Sequence, residues 1–170
     1  VTSFTSESFA TANDTFFLDQ NLNTVDNPYT YKVEFYVDGN ELLGETQAAS
    51  SVFLTSSPTD KACVLTWQEE VPWSNTQYII FLIENGNRIP LDTVSNNTYR
   101  HEDLDNEQSY EYVVQSIGSY GLPNILDPLL NDSQEITCTP RDNVPPCVPT
   151  LRVANICDDI RLPIAIETLE

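Results

Sequence analysis

Cationic side chains are scarce in this sequence. Its 170 residues contain seven lysines and arginines against 26 aspartates and glutamates, which gives a formal net charge of −19 at pH 7. A surface with this charge repels phosphate backbones and anionic lipid headgroups. We therefore expect a protein that has no nucleic-acid partner and makes no direct membrane contact.

Histidine is almost absent, since His101 is its single occurrence. Ser-His-Asp and Cys-His mechanisms both need an imidazole base, and His101 stands in "YRHEDL", where we predict a strand residue that faces solvent. The many acidic residues supply carboxylate pairs, but no feature selects one pair for glycoside hydrolysis. We therefore predict that the chain is not an enzyme and carries no cofactor.

Long apolar runs are missing as well. No stretch approaches the roughly 18 apolar residues that a membrane span needs, and the start lacks the basic and then apolar pattern of a signal peptide. Methionine does not occur at all, and both ends of the chain fall beside strand-like patterns. We interpret the sequence as a piece of a longer protein.

The four cysteines are Cys63, Cys138, Cys147 and Cys157. They lack the two-residue spacing that is typical of zinc sites, so we predict no metal centre built on them. An even number of cysteines in an acidic, lysine-poor chain indicates two disulfides and an oxidising compartment.

Apolar residues alternate with polar ones in several segments, which is the period of a β-strand with one buried face. The segments "KACVLTW", "SYEYVVQS" and "SQEITCTP" show this pattern, and "NPYTYKVEFYV" alternates as a half-buried strand. A longer apolar run, "QYIIFLIENGN", predicts a strand covered on both faces and closed by an Asn-Gly turn. Strands of this kind, separated by Pro, Asn and Gly, predict an antiparallel β-sandwich.

Two parts of the chain share one order of features. Residues 13–44 and 96–122 each contain Asn-x-Thr and an aromatic residue, then a leucine, a polar turn, a Tyr-x-Tyr strand and a loop with glycine. A repeat of this kind predicts tandem modules of one fold. Only the second copy is preceded by strands such as "KACVLTW", so we expect the first copy to be the second half of a module.

The leucine and tyrosine of the second copy, Leu104 and Tyr110, resemble the tyrosine corner of fibronectin type III domains. In that corner the tyrosine hydroxyl forms a hydrogen bond with the backbone near the leucine. Trp67 resembles the core tryptophan of strand B, and Tyr78 the tyrosine of strand C. The resemblance implies an all-β, immunoglobulin-like sandwich of fibronectin type III type with these four side chains in its structural core.

The resemblance also implies a tandem organisation. It covers residues 51–142 as a complete module, residues 1–50 as the C-terminal half of a preceding module, and residues 143–170 as a linker and the first strands of a following one. In the first half-module Tyr29 lies seven rather than six residues after Leu22. "VFLTSSPTDKACVLTW" and "DNVPPCVPTLRVANIC" are similar to repeats of large Bacteroidetes surface proteins that carry a gliding-motility-associated, type IX secretion sorting domain.

The fold of this family implies which cysteines pair. Strand B begins and strand G ends near one pole of the sandwich, and Cys63 opens strand B while Cys138 closes strand G. The resemblance therefore implies a Cys63–Cys138 disulfide. Cys147 and Cys157 would then pair locally.

An acidic turn, "EDLDNE", offers Asp103, Asp105 and Glu107 as candidate calcium ligands, because hard cations favour clustered carboxylates. An EF-hand loop that started at Asp103 would need glycine where Gln108 stands. We therefore favour the alternative interpretation, an acidic turn at the corner between strands E and F.

Two aromatic residues are candidate ligand contacts. Trp73 lies beside Pro72 in the loop between strands B and C, and Tyr120 lies in the loop between strands F and G. An exposed ring could stack on a sugar or a peptide. In this family a Pro-Trp pair packs down on the end of the sandwich, and we favour that role for Trp73.

Two functions fit these features. The first is a non-catalytic spacer and interaction module of a large secreted or cell-surface protein, of bacterial origin, that holds a distant domain away from the cell. The second is an adhesion module that binds a carbohydrate or a protein through its B–C and F–G loops. The expected partners are neighbouring modules of the same polypeptide, an extracellular protein or glycan, and a second copy bound through the partial modules. We expect an extracellular or cell-surface location.

Overall fold

A computed structural model describes residues 17–37 and 41–149, and every regular element in them is a β-strand. The first strands are β1 (Thr30–Tyr31), β2 (Glu34–Val37), β3 (Glu41–Glu45) and β4 (Ala49–Ser50). They are followed by β5 (Phe53–Thr59), β6 (Ala62–Gln68), β7 (Ser74–Glu84), β8 (Asn87–Val94), β9 (Thr98–His101), β10 (Tyr110–Ser119), β11 (Leu129–Asp132) and β12 (Ile136–Cys138). This part of the chain holds no helix able to cross a membrane.

Strands β5 to β12 form two antiparallel sheets within residues 51–142, which we call the central module. One sheet has the order β5-β6-β9, and the other has the order β8-β7-β10, with β11 and β12 both paired with β10. In sandwich lettering the first sheet is A-B-E. The second is C′-C-F-G, with strand G in two parts. This arrangement confirms the predicted immunoglobulin-like sandwich of fibronectin type III type.

The core lies between the inward faces of the two sheets. Trp67 and Tyr78 meet across it with ring centroids 5.2 Å apart in an edge-on contact. Leu104 is buried in the same cluster, and Tyr110 is partly buried against it. The buried members of the cluster are Val52, Leu54, Cys63, Leu65, Trp67, Tyr78, Ile80, Leu82, Leu104, Tyr112, Val114 and Cys138.

The corner between β9 and β10 is closed by a tyrosine hydroxyl. The backbone N–H of Asp105, the residue after Leu104, donates a hydrogen bond of 3.0 Å to Tyr110 Oη. This is the contact that the resemblance to a tyrosine corner implied. It ties the loop to the start of β10 and satisfies a backbone donor outside the sheet ladder.

Strand β7 is covered on one face only, so the prediction that both faces are covered is wrong. Tyr78, Ile80 and Leu82 are buried, whereas Ile79 and Phe81 between them are partly exposed. The reason is that each sheet of a two-sheet sandwich packs one face on the core and turns the other outward. The turn that follows β7 has positive φ at Asn85 (52°) and Gly86 (76°), as a type I′ hairpin turn requires.

Strands β1 to β4 form a second antiparallel unit, which we call the N-terminal hairpin. Strand β1 pairs with β4 and β2 pairs with β3, so the four short strands are the two arms of one hairpin. The backbone N–H of Asn23, the residue after Leu22, donates a hydrogen bond of 3.2 Å to Tyr29 Oη. The same corner contact therefore occurs twice in the described chain, despite the longer spacing in the first copy.

The N-terminal hairpin is exposed on both faces, so the prediction of a half-buried strand is wrong for residues 31–37. Phe35 and Tyr36 are neighbours on opposite faces, and their side chains are 54% and 53% exposed. A two-stranded ladder buries a face only when another element packs against it. The described residues include no second sheet against the hairpin. The predicted third module, residues 143–170, lies largely outside the described residues and stays a prediction.

Candidate functional site

A disulfide closes one pole of the central module. Cys63 at the start of β6 and Cys138 at the end of β12 are joined with a Cα–Cα distance of 6.3 Å, and both side chains are buried. This is the pair that the resemblance implied. A buried disulfide indicates that the protein folds in an oxidising compartment.

The second predicted disulfide stays a prediction. Cys147 is exposed, and no cysteine of the described residues is bonded to it. Its predicted partner, Cys157, lies outside the described residues.

The acidic turn of the corner does not assemble a cation site. Within the described ranges no three histidine, cysteine, aspartate or glutamate side chains come together as metal ligands, so the calcium candidates Asp103, Asp105 and Glu107 are not brought into one shell. The turn has a structural role instead. Glu107 donates its backbone N–H to Pro140 at 2.9 Å, and Asn106 binds the Lys61 backbone N–H through its side-chain oxygen, also at 2.9 Å.

His101 does not face solvent, so that prediction is wrong. It pairs with Cys63 in the β6–β9 ladder, and directly opposed residues point to the same face of a sheet. Its Nδ1 atom lies 2.9 Å from the hydroxyl of the fully buried Tyr112. The imidazole also packs edge-on against Tyr110. Burial lowers the pKa of His101 below its usual value.

The opposite pole brings the two candidate ligand contacts together. The Trp73 and Tyr120 rings meet edge-on, with centroids 5.7 Å apart. The indole N–H of Trp73 donates to Asn75 Oδ1 at 2.9 Å. A Cβ atom added to Gly118 would come within 2.5 Å of Trp73 Cδ1, so the indole lies directly over this glycine. Trp73 therefore packs on the end of the sandwich, as favoured above.

The loop after β10 presents an apolar surface beside these rings. Its exposed large side chains are Tyr120, Leu122, Ile125 and Leu126. The base of the loop is held by Ser119, whose hydroxyl donates to Asp127 at 3.0 Å and accepts the Gly121 N–H at 2.9 Å. These hydrogen bonds fix the base of the loop. We call its exposed apolar side chains, Tyr120, Leu122, Ile125 and Leu126, the F–G patch.

A polar network beneath this pole was missed by the sequence reasoning. The Tyr78 hydroxyl donates to Glu69 Oε1 at 2.8 Å, and the Asn75 amide donates to the same oxygen. Burial, together with the bond to Glu69, raises the pKa of Tyr78 to about 12. The available signal was alternation, because Glu69 stands two residues after the core residue Trp67 and therefore points to the same face.

A second feature missed from the sequence is the connection between the hairpin and the central module, which we call the module joint. Ser50 is 9% exposed, and its backbone N–H donates to the Glu70 carbonyl at 2.8 Å. Its hydroxyl accepts the Glu70 N–H at 2.7 Å, and its carbonyl accepts the Asn131 amide at 3.0 Å. Ser51 donates its N–H to the Tyr29 carbonyl at 3.2 Å. One serine thus links β4 to the B–C loop and to strand G.

Comparison with known proteins gives similarity at the level of structure only. No family model matches the sequence, and no curated protein matches it. A structure described as an FN3tt mutant is 18% identical, covers 54% of this chain and 91% of its own, and has a TM-score of 0.35. The rat CD45 extracellular region, domains d3–d4, is 20% identical, covers 82% of this chain and 76% of its own, and has a TM-score of 0.40. The fold assignment rests on the strand order and the corner contacts rather than on these similarities.

Proposed function

We propose that this chain is a non-catalytic spacer and interaction segment of a large secreted or cell-surface protein, in which tandem sandwich modules keep other domains apart. The observation that carries the proposal is the module joint. Strand β4 of the hairpin ends at Ser50 and strand β5 of the central module begins at Phe53, so no flexible linker separates them. Neighbouring modules move relative to one another when few contacts join them. The hydrogen bonds of Ser50 with Glu70 and Asn131 oppose that motion.

The hydrogen bonds of the module joint favour a rigid spacer over a hinged one. Ser50 is nearly buried and three of its polar groups are satisfied by Glu70 and Asn131. If the hairpin swung away, these groups would lose their partners, and buried polar groups that lose a partner cost free energy. The folded joint therefore favours one relative orientation.

Backbone ¹⁵N relaxation of the whole chain tests this proposal. The hairpin and the central module are expected to report one common rotational correlation time. The double variant Ser50→Ala with Asn131→Ala is expected to separate the two values. The matched control changes a serine and an asparagine in the exposed turn before β9, Ser95→Ala with Asn96→Ala, and should leave them equal. Independent tumbling in the wild type would contradict the spacer proposal.

The proposed surface location is supported by the Cys63–Cys138 disulfide, which indicates an oxidising compartment. The similarity to Bacteroidetes surface repeats suggests a bacterial origin and export by the type IX route. Mass spectrometry of the protein taken from its native cells under thiol-blocking conditions would test this location. The two cysteines are expected to be joined, and a fully reduced pair would argue against export.

A second function, ligand binding at the Trp73 pole, is favoured by a specific observation. Trp73 and Tyr120 come from different loops yet meet at one point, next to the F–G patch. A groove of about 490 Å³ adjoins this pole between the hairpin and the B–C loop, and it is lined by Lys32, Glu45, Thr46, Gln47, Ala48, Glu70, Val71 and Pro72. Aromatic edges beside polar groups are typical of sites that bind sugars or peptides.

A glycan and peptide array separates the two functions. The ligand-binding function predicts specific binding that Trp73→Ala abolishes and that Trp67→Phe, a change in the core, preserves. If nothing on the array bound and the relaxation experiment gave a single correlation time, the ligand-binding function would be excluded and the spacer function supported.

A further inference from the structure

We propose that the central module bears tension along its long axis and that the Cys63–Cys138 disulfide limits how far it can extend. The inference follows from where the chain enters the module, where it leaves, and which residues the disulfide connects. The use of such a limit in the cell rests on the proposed spacer function, but the limit itself is a property of the module.

The load path, meaning the covalent route that carries tension through the central module, is short because of the disulfide. Tension that enters at Ser50 passes along β5 to the turn at Thr59, which lies at the pole of the disulfide. From there it reaches Cys63, crosses to Cys138 and leaves the module near Arg141, whose N–H donates to the Thr59 carbonyl at 3.2 Å. The cysteines are 75 positions apart, so the residues between them are bypassed by the covalent path.

The strand that would have to detach, β5, is loaded in shear. All seven of its residues pair with β6, from Phe53 opposite Gln68 to Thr59 opposite Ala62. The two ends of the load path lie at opposite poles, so the tension runs parallel to the strands. Ladder hydrogen bonds are perpendicular to the strands, and they are therefore stretched together rather than one after another.

Strand β5 is also fastened to strand G by side chains. Gln134 accepts the Leu54 N–H at 3.1 Å and donates its amide to the Leu54 carbonyl at 2.7 Å. Beside it, Val52 and Ser133 form a parallel bridge. These contacts join the entry strand to the exit strand, so they resist the same sliding motion.

The N-terminal hairpin behaves differently under tension. Thr30 pairs with Ser50 at its open end, so a pull between the chain start and the central module opens its pairs one at a time. We therefore expect the hairpin to open at a lower force than the module and to give a separate, earlier event.

The limit has a calculable size. With the disulfide intact, the dozen or so residues before Cys63 reach at most about 40 Å at roughly 3.6 Å per residue. The extended strand β5 already spans part of this length in the folded module, so its detachment adds less than about 40 Å. Without the disulfide the residues between the cysteines can also extend, which adds about 270 Å on the same scale. The two states differ severalfold in length and are easily separated.

Single-molecule stretching of the whole chain, held at its two ends, tests the proposal. Under non-reducing conditions the wild type is expected to show no module event longer than about 40 Å. The variant Cys63→Ala with Cys138→Ala is expected to show an event longer by about 270 Å. A long event in the oxidised wild type, or a short one in the folded variant, would overturn the proposal.

A second measurement covers the case in which the variant does not fold. Dithiothreitol is added to wild-type molecules held under load after β5 has detached. Its two thiols are oxidised to a cyclic disulfide while the protein disulfide takes up two electrons and two protons to become two thiols. The molecule should then lengthen by about 270 Å in one step. Reduction without lengthening would overturn the proposal and would leave the relaxation test of the spacer function unaffected.

The shear contacts are tested with a matched pair of glutamine variants. Gln134→Ala should lower the force at which β5 detaches, because Gln134 bridges the entry and exit strands. Gln115→Ala removes an amide bonded to Asp132 on the outer face, away from the load path, and should leave the force unchanged. Equal forces for the two variants would contradict the assigned role of strand G.

Discussion

At the scale of single residues, two tyrosine hydroxyls hold equivalent corners of the chain. Tyr110 accepts the N–H of Asp105, and Tyr29 accepts the N–H of Asn23. In each case the donor directly follows a leucine, although the spacings differ by one residue. The shared contact, rather than the spacing, is what identifies the two corners as copies of one motif.

We expect Tyr110→Phe to destabilise the central module by about 1 kcal/mol or somewhat more, because the Asp105 N–H loses its partner. Urea unfolding followed by tryptophan fluorescence measures this change. Tyr120→Phe is the control, since it removes the same atom from an exposed ring. Indistinguishable midpoints for the two variants would show that the corner hydroxyl does not stabilise the fold.

His101 should make stability sensitive to mild acid. Burial lowers the pKa of His101 in the folded state, whereas the unfolded chain keeps the usual value near 6.5. As the pH falls below that value the unfolded chain binds the proton more readily, so stability falls. Burial raises the pKa of the neighbouring Tyr99 and Tyr112, so these two phenols stay neutral throughout this range.

The comparison is between the wild type and His101→Gln in urea at pH 7.5 and pH 5.5. The wild type should lose more stability on acidification than the variant, because only the wild type carries the imidazole. If the variant lost as much stability as the wild type, groups other than His101 would be the cause of the pH dependence.

At the scale of elements, the B–C and F–G loops meet at Gly118. A Cβ atom at this position would lie 2.5 Å from Trp73 Cδ1 and 2.9 Å from the Ser74 carbonyl oxygen. Backbone cannot yield as a flexible side chain does, so the close approach of β7 and β10 at this end depends on the missing side chain.

We therefore expect Gly118→Ala to cost about 1–3 kcal/mol by overpacking and to shift the fluorescence of Trp73. Gly44→Ala is the control, because a Cβ atom there meets no atom within 4 Å. Equal unfolding midpoints for the two alanine variants would show that the Trp73 pole is not closely packed.

The strands show how much of the fold could be predicted from the sequence. Alternation identified the inward faces of β6 and β10 correctly, since one period of two residues determines both. The apolar run wrongly predicted two covered faces for β7, and alternation wrongly predicted a buried face for residues 31–37, because burial of an apolar strand depends on whether a second sheet covers it. The position of His101 between Arg100 and Glu102 predicts a residue that faces solvent, whereas its register with Cys63 turns it inward.

Some contacts of the candidate sites could also be predicted from the sequence, and others could not. The Cys63–Cys138 pair and the Tyr110 corner were accessible because they follow from the fold type. Ser50 and Gln134 were not, because their partners lie 20 to 81 positions away and are ordinary polar residues in the sequence. Contacts of this kind arise from the packing of a particular chain rather than from a local pattern.

At the scale of the whole molecule, charge and exposed apolar surface oppose each other. Salt bridges pair three of the few cations, Lys32, Arg88 and Arg100, with neighbouring carboxylates. The net charge of −19 keeps copies apart, whereas the exposed apolar side chains and free edges of the N-terminal hairpin favour association.

We expect added salt to promote self-association, because screening weakens the repulsion and leaves the apolar contact unchanged. Light scattering should show a rising mean mass between low salt and roughly 0.5 M sodium chloride, where the screening length is only a few ångströms. Leu43, which is 72% exposed in the hairpin, is the test position, and Leu43→Glu should suppress the rise. A constant monomer mass at every salt concentration would exclude association through this edge.

The central claim is that residues 51–142 form a self-contained sandwich closed by the Tyr110 corner and the Cys63–Cys138 disulfide. The most direct measurement is a comparison of ¹H–¹⁵N correlation spectra of the oxidised 51–142 fragment and of the whole chain. We predict a dispersed fragment spectrum that superimposes on the whole-chain spectrum, except near Glu70 and Asn131, where the module joint is lost. A collapsed fragment spectrum, or shifts spread across the core strands, would contradict the account.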